Sequence, residues 1–150
     1  MKETASDASV AAWTRGVRAQ AAALGSVEGA LKGAGLPPLA WYDVLLEVER
    51  MPGGLRPKEL EARLLLAQYN LSRLLDRMER EGLVERLPCA EDGRGQMVHP
   101  TEAGRRLRRR MWPTYAGAIR DAVAARLTDA EARQLAGLLG KLVAPASGGA

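Results

Sequence analysis

The chain has 150 residues, which suits one domain with a small core, and 47% of them are apolar, with no Phe. No apolar run approaches the ~18 residues of a membrane span, and "MKETASDAS" lacks a signal-peptide core, so a cytoplasmic protein without membrane contact is expected. One Cys and one His rule out an intrachain disulfide and leave too few ligands for a structural zinc site; no metal or cofactor is expected.

Residues 1–8 read as a tail. From Ser9 to about Lys32, Val10, Val17, Leu24 and Leu31 recur every seven residues with Trp13 and Val27 between them, and Gly33-Ala34-Gly35 ends this first helix. A second helix follows Pro37-Pro38 and buries Trp41, Val44, Leu45 and Val48. "MPGGLRP" breaks it and leaves room for at most a two-residue strand at Leu55-Arg56. Pro57 suits the first position of a short third helix running to about Leu65. A fourth helix starts at about Ala67 and stops at Gly82. It buries Leu71, Leu74, Leu75 and Met78, and turns Tyr69, Asn70, Arg73, Arg77 and Arg80 outward.

Beyond Gly82 the period changes from helical to alternating. "LVERLP" and "QMVH" flank "CAEDGRG", the pattern of a two-stranded hairpin with an Asp- and Gly-rich turn. Thr101 caps a long helix to about Leu127, bent at Pro113, in which Leu107, Met111, Tyr115, Ile119 and Val123 step by four. Thr128 and Glu131 form a capping box for a last helix that buries Leu135, Leu138, Leu139 and Leu142. The fold class is therefore mainly α with a small β-wing: a winged helix-turn-helix joined to a helical dimerisation region.

Charge agrees with that architecture. The net charge of +4 sits entirely in residues 56–110, which hold 13 Lys or Arg against 9 Asp or Glu. An anionic partner there is expected. Gln68 and Asn70 have the geometry to read adenine, and Arg73 and Arg77 to read guanine or hold phosphate. The run Arg105, Arg106, Arg108, Arg109 and Arg110 reads equally well as phosphate contact or solvated face. Cys89 and His99 read as structural residues, and Trp41 and Trp112 as packing.

"SRLLDRMEREGLVER", the wing "EDGRG" and "TEAGR" together resemble the MarR family of bacterial transcription regulators. The likeness covers about a third of the chain. It implies a homodimer over palindromic operator DNA, with residues 1–150 as one domain. Within it, 9–36 and 101–143 would be dimerisation helices and 37–100 the DNA-binding lobe. The DNA contacts it implies are Gln68, Tyr69, Asn70, Ser72, Arg73 and Arg77 in the recognition helix. In the wing they are Asp92 and Arg94, the Asp bracing an Arg that enters a narrow minor groove. Two departures stand out: Ala67 where many members have a capping Ser, and His99-Pro100 before the Thr.

Trp13, Asp43, Arg73 and Arg86 also match, in order, four residues that mark a urate-responsive branch of that family. They imply an effector site with an Arg for an anionic purine, an Asp for a ring N–H and a Trp as apolar wall. The resulting expectation is a repressor released by a small anionic or aromatic effector, urate among them. The alternatives are a regulator of an aromatic-acid or antibiotic-efflux operon, or an interaction module that kept the fold without DNA binding. No nucleophile–base pair or phosphate-binding Gly loop points to an enzyme.

Overall fold

The structure is a computed structural model that describes residues 4–65, 70–89, 91 and 93–143. Its elements in chain order are α1 (Asp7–Gly33), α2 (Leu39–Arg50), α3 (Pro57–Arg63), α4 (Leu71–Arg80), β1 (Val84–Pro88), β2 (Gln96–Pro100), α5 (Glu102–Ile119) and α6 (Asp129–Val143). A π-helical turn, Arg120–Ala124, follows α5. The chain divides into two compact units, residues 27–115 and residues 1–26 with 116–150.

The unit of residues 27–115 holds the buried core. Leu31, Val44, Leu45, Val48, Leu55, Leu60, Leu75, Met78, Val84, Val98 and Met111 are all at most 1% exposed. They come from every element of that unit, so α2, α3, α4 and the hairpin close on one apolar centre. The hairpin pairs antiparallel with Arg86 opposite Val98 and Val84 opposite Pro100. Leu55 adds a bridge to Val98, its N–H donating to the Val98 carbonyl and its carbonyl accepting the Val98 N–H. That bridge is the short strand expected at Leu55-Arg56, and it fastens the base of the wing to the α2–α3 connection.

Local chemistry sets the element ends. Pro57 opens α3, where its missing N–H costs nothing. Gly82, at φ +73°, ends α4 in a left-handed turn. There the Leu83 N–H reaches the Met78 carbonyl and the Gly82 N–H the Glu79 carbonyl. Thr101 caps α5 as expected: its hydroxyl donates to the Gly82 carbonyl at 2.6 Å and accepts the Gly104 N–H at 3.1 Å. This single side chain ties the turn that ends α4 to the start of α5. Gly104 is obligatory in the same corner, because a Cβ there would lie 2.1 Å from the Leu83 carbonyl oxygen.

Two boundaries differ from the sequence expectation. Helix α4 begins at Leu71, not near Ala67, because Asn70 leaves helical geometry and its side chain accepts the Arg73 N–H at 3.2 Å. Ala67 itself lies outside the described residues. Helix α5 gives way at Arg120 to a π-turn closed by the Ala125 N–H on the Arg120 carbonyl. Apolar residues stepping by four drift about 40° per step around an α-helix, and one wider turn absorbs that drift.

In the unit of residues 1–26 and 116–150, the capping box forms as expected. The Thr128 N–H donates to the Glu131 carboxylate at 2.8 Å and the Glu131 N–H to the Thr128 hydroxyl at 3.2 Å. Helix α6 buries none of its residues, and Leu135, Leu138, Leu139 and Leu142 are 42–78% exposed. Val10, Trp13 and Val17, one face of α1, are likewise exposed.

Candidate nucleic-acid interface

Helix α4 has two sharply different faces. Leu71, Leu75 and Met78 are buried, whereas Ser72, Arg73, Arg77 and Arg80 are exposed. At about 100° per residue, Arg73, Arg77 and Arg80 fall within one narrow stripe opposite the buried face. Arg73 and Arg80 have no ion-pair or hydrogen-bond partner for their guanidinium groups among the described residues. Three like charges at this spacing repel one another slightly in the free protein. The stripe is thus arranged for an anion outside the chain.

Arg77 differs from its neighbours. Its guanidinium lies over the Trp41 ring, 5.4 Å from the centroid, and 3.8 Å from the Glu81 carboxylate. Asn70, expected to face outward for base contact, spends its side-chain carbonyl on capping α4. Gln68 and Tyr69, and in the wing Asp92, lie outside the described residues. Arg94 is exposed at the hairpin tip between Gly93 and Gly95, both with positive φ. Arg56, just before α3, braces the wing: it donates to the Cys89 sulfur at 3.5 Å and lies 3.7 Å from Glu59. Cys89 is buried there, in keeping with a structural thiol.

The residues matched to an effector site are distributed differently. Asp43 is buried on α2, where its carboxylate accepts the Leu65 N–H at 2.6 Å and so holds the chain just past α3. Arg86 donates to Asp76 at 2.8 Å, and its own backbone N–H reaches Glu79. Trp13 is 74% exposed on α1, in the other unit. One guanidinium nitrogen of Arg86, Nε, is buried without a hydrogen-bond partner among the described residues. Arg86 borders a cavity of about 290 Å³ with Pro57, Lys58, Glu61, Ser72 and Gln96. A buried, unanswered donor beside open space suits an incoming acceptor.

An aromatic cluster on α2 and α5 was not foreseen. The Tyr42 ring stacks on Trp112 at 6.0 Å, and Tyr115 meets both edge-on at 5.0 and 5.8 Å. Arg108 packs over Tyr42 and is clamped to Glu49, whose hydrogen bond chiefly holds its pKa above the usual value. Arg109 and Arg105 pair with Glu102, at 3.2 and 3.9 Å. The Arg run on α5 is therefore partly internal. Stepwise spacing of Tyr42, Trp112 and Tyr115 carries no sequence signal for a shared cluster, because α2 and α5 meet only through the fold. Among the described residues no group of His, Cys, Asp or Glu is arranged to hold a metal ion. No described helix is long and apolar enough to cross a membrane.

Residues 34–95 match the family model described as MarR family. Sco3205 of Streptomyces coelicolor, a MarR family transcriptional regulator solved in complex with DNA, is 26% identical. The match covers 99% of this chain and 96% of that one, with a TM-score of 0.82. CouR of Rhodococcus jostii RHA1, solved with bound p-coumaroyl-CoA, is 26% identical over 87% of this chain and 90% of its own, with a TM-score of 0.70. A MarR family regulator from Rhodococcus sp. RHA1 is 27% identical over 87% of this chain and 91% of its own, at a TM-score of 0.71.

Proposed function

From the match of residues 34–95 to the MarR family model and the likeness to Sco3205, we propose that the chain is a MarR family regulator and acts as a homodimeric, operator-binding transcriptional repressor released by a small organic anion. The single observation that carries DNA binding is the outward stripe of Arg73, Arg77 and Arg80 on a helix whose other face is locked into the core. Such a helix offers a major groove several cations without disturbing its own packing. The wing supplies a second grip at Arg94, suited to the concentrated negative potential of a narrow minor groove. Ser72 lies beside the stripe, and Gln68, Tyr69 and Asp92 complete the proposed contact set by family resemblance. The DNA complex of Sco3205 supports the same use of the fold.

Dimerisation rests on the other unit. Leu135, Leu138, Leu139 and Leu142 recur at i, i+3, i+4 and i+7 on a helix that buries nothing, and Val10, Trp13 and Val17 make a comparable face on α1. Apolar stripes of that extent are covered in stable proteins, here by a second copy. Two recognition helices related by a twofold axis call for an inverted-repeat operator.

The effector reading rests on Arg86, whose buried Nε lacks a partner among the described residues and which borders the cavity under α4. An anion there competes with Asp76 for the guanidinium and so acts on the helix that carries the stripe. Arg73 and Asp43 belong to the proposed set, and Trp13 is included by family resemblance alone. Ligand-bound CouR supports a ligand response in principle; urate and flat aromatic acids remain the two candidate chemistries.

Selection of bound duplexes from a random-sequence library tests the DNA reading. An enriched inverted repeat with half-sites about one helical turn apart is the expected result. Retention of duplexes without any enriched sequence overturns it. Titrating urate, then salicylate, against the selected complex decides the effector class. Dissociation by urate that is lost in Arg86→Gln supports the purine, and dissociation by salicylate alone assigns an aromatic acid.

A further inference from the structure

Trp41 belongs to α2, outside the outward face of α4, and is only 6% exposed. Its ring nevertheless carries the Arg77 guanidinium at 5.4 Å from the centroid. Glu81, one turn further along, lies 3.8 Å from the same guanidinium. Arg77 is therefore held from two sides, by a π-face below and a carboxylate at the C-terminal end of α4. Arg73 and Arg80, its neighbours on the stripe, have no such support for their guanidinium groups among the described residues.

We propose that Trp41 is a positioning residue for DNA recognition, acting through Arg77. An Arg side chain loses rotamer freedom when it docks on DNA, and that loss opposes binding. A ring that already fixes the guanidinium lowers this cost. The cation also keeps its charge and its donors on the ring, because a π-face satisfies none of its N–H groups. Glu81, by contrast, uses a donor and offsets the charge. At 3.8 Å between groups half exposed or more, that pair is weak and gives way to phosphate or a base edge. The pairing thus gives one arginine of the stripe a fixed address, whereas Arg73 and Arg80 adapt. This role rests on the DNA-binding reading above and assigns to Trp41 a function that packing alone does not.

The test is a double-mutant cycle on the selected duplex, read by fluorescence anisotropy with the full chain. Trp41→Leu in the wild-type background weakens binding about three- to fivefold, the size of one cation–π contact. The same change in an Arg77→Ala background has no further effect, and Trp41→Phe restores most of the loss. Thermal unfolding is measured for each variant, with Trp41→Phe as the form that retains packing should the Leu variant fail to fold. In that event the Phe variant binds nearly as wild type and Trp41→Met, similar in bulk but without a ring, shows the loss. Equal losses from Trp41 substitution with and without Arg77 indicate packing only and overturn the proposal. Tighter binding by the Leu variant overturns it too, since the ring would then restrain Arg77 from the DNA. A wild-type chain that selects no duplex overturns the DNA reading itself, which separates that failure from this one.

Discussion

At the scale of single residues, the sequence points to chemistry that the fold then assigns to particular partners. Asp43 is the clearest case. The family resemblance implies a ligand acceptor there, and in the structure its carboxylate accepts the Leu65 N–H and so anchors the chain just past α3. Asp43→Ala is expected to lower unfolding stability by about 1–2 kcal/mol in urea denaturation, with Asp43→Asn recovering part through its remaining carbonyl. No loss in either variant would show that the backbone finds water instead. Tyr115 gives a pH prediction. Burial is the main cause that pushes its hydroxyl pKa up, with the Asp43 carboxylate and Tyr42 adding to it. The folded chain therefore holds this proton longer than the unfolded one, whose tyrosines ionise near pH 10. The stabilisation is complete below about pH 10 and is lost as pH rises through the folded value. Urea denaturation at about pH 8 and about pH 10.5 should show this loss in wild type and a smaller one in Tyr115→Phe.

At the scale of elements, most of the order was legible. Helix α2, the bridge at Leu55, the third helix opened by Pro57, both wing strands and both threonine caps appear where periodicity and capping chemistry put them. The misses have physical causes. Asn70 caps α4 because its side chain accepts the Arg73 amide proton, and α4 starts at Leu71. The π-turn was hidden because a period of four reads as a helix until its drift is counted. The Trp41–Arg77 and Tyr42–Trp112 contacts were illegible because they depend on which elements become neighbours. The wing yields the prediction at this scale. Arg94→Ala should leave thermal stability nearly unchanged and weaken duplex binding. The slope of log affinity against log salt should fall by about one for each lost phosphate contact. Unchanged affinity and slope would remove the wing from the DNA contact.

At the scale of the whole molecule, the two units present different surfaces. Residues 27–115 enclose a core and display the cationic stripe, and the unit of residues 1–26 and 116–150 displays apolar faces on α1 and α6. The contrast in surface was visible in the sequence, where a heptad-like seam and a leucine stripe flank a basic, hairpin-containing centre. Its boundaries were not, because α1 and α5 are continuous helices and periodicity does not reveal where contacts change. Leu138→Asp places a carboxylate on the α6 stripe. It should produce monomer or unfolded chain, since a charge without a partner in an apolar interface is far costlier than the contact it replaces. The most direct test of the central claim is sedimentation of the wild-type chain alone and with the selected duplex. The account predicts a free species at twice the 16.1 kDa chain mass and two chains on each duplex. A stable wild-type monomer that binds one duplex with full affinity would contradict it.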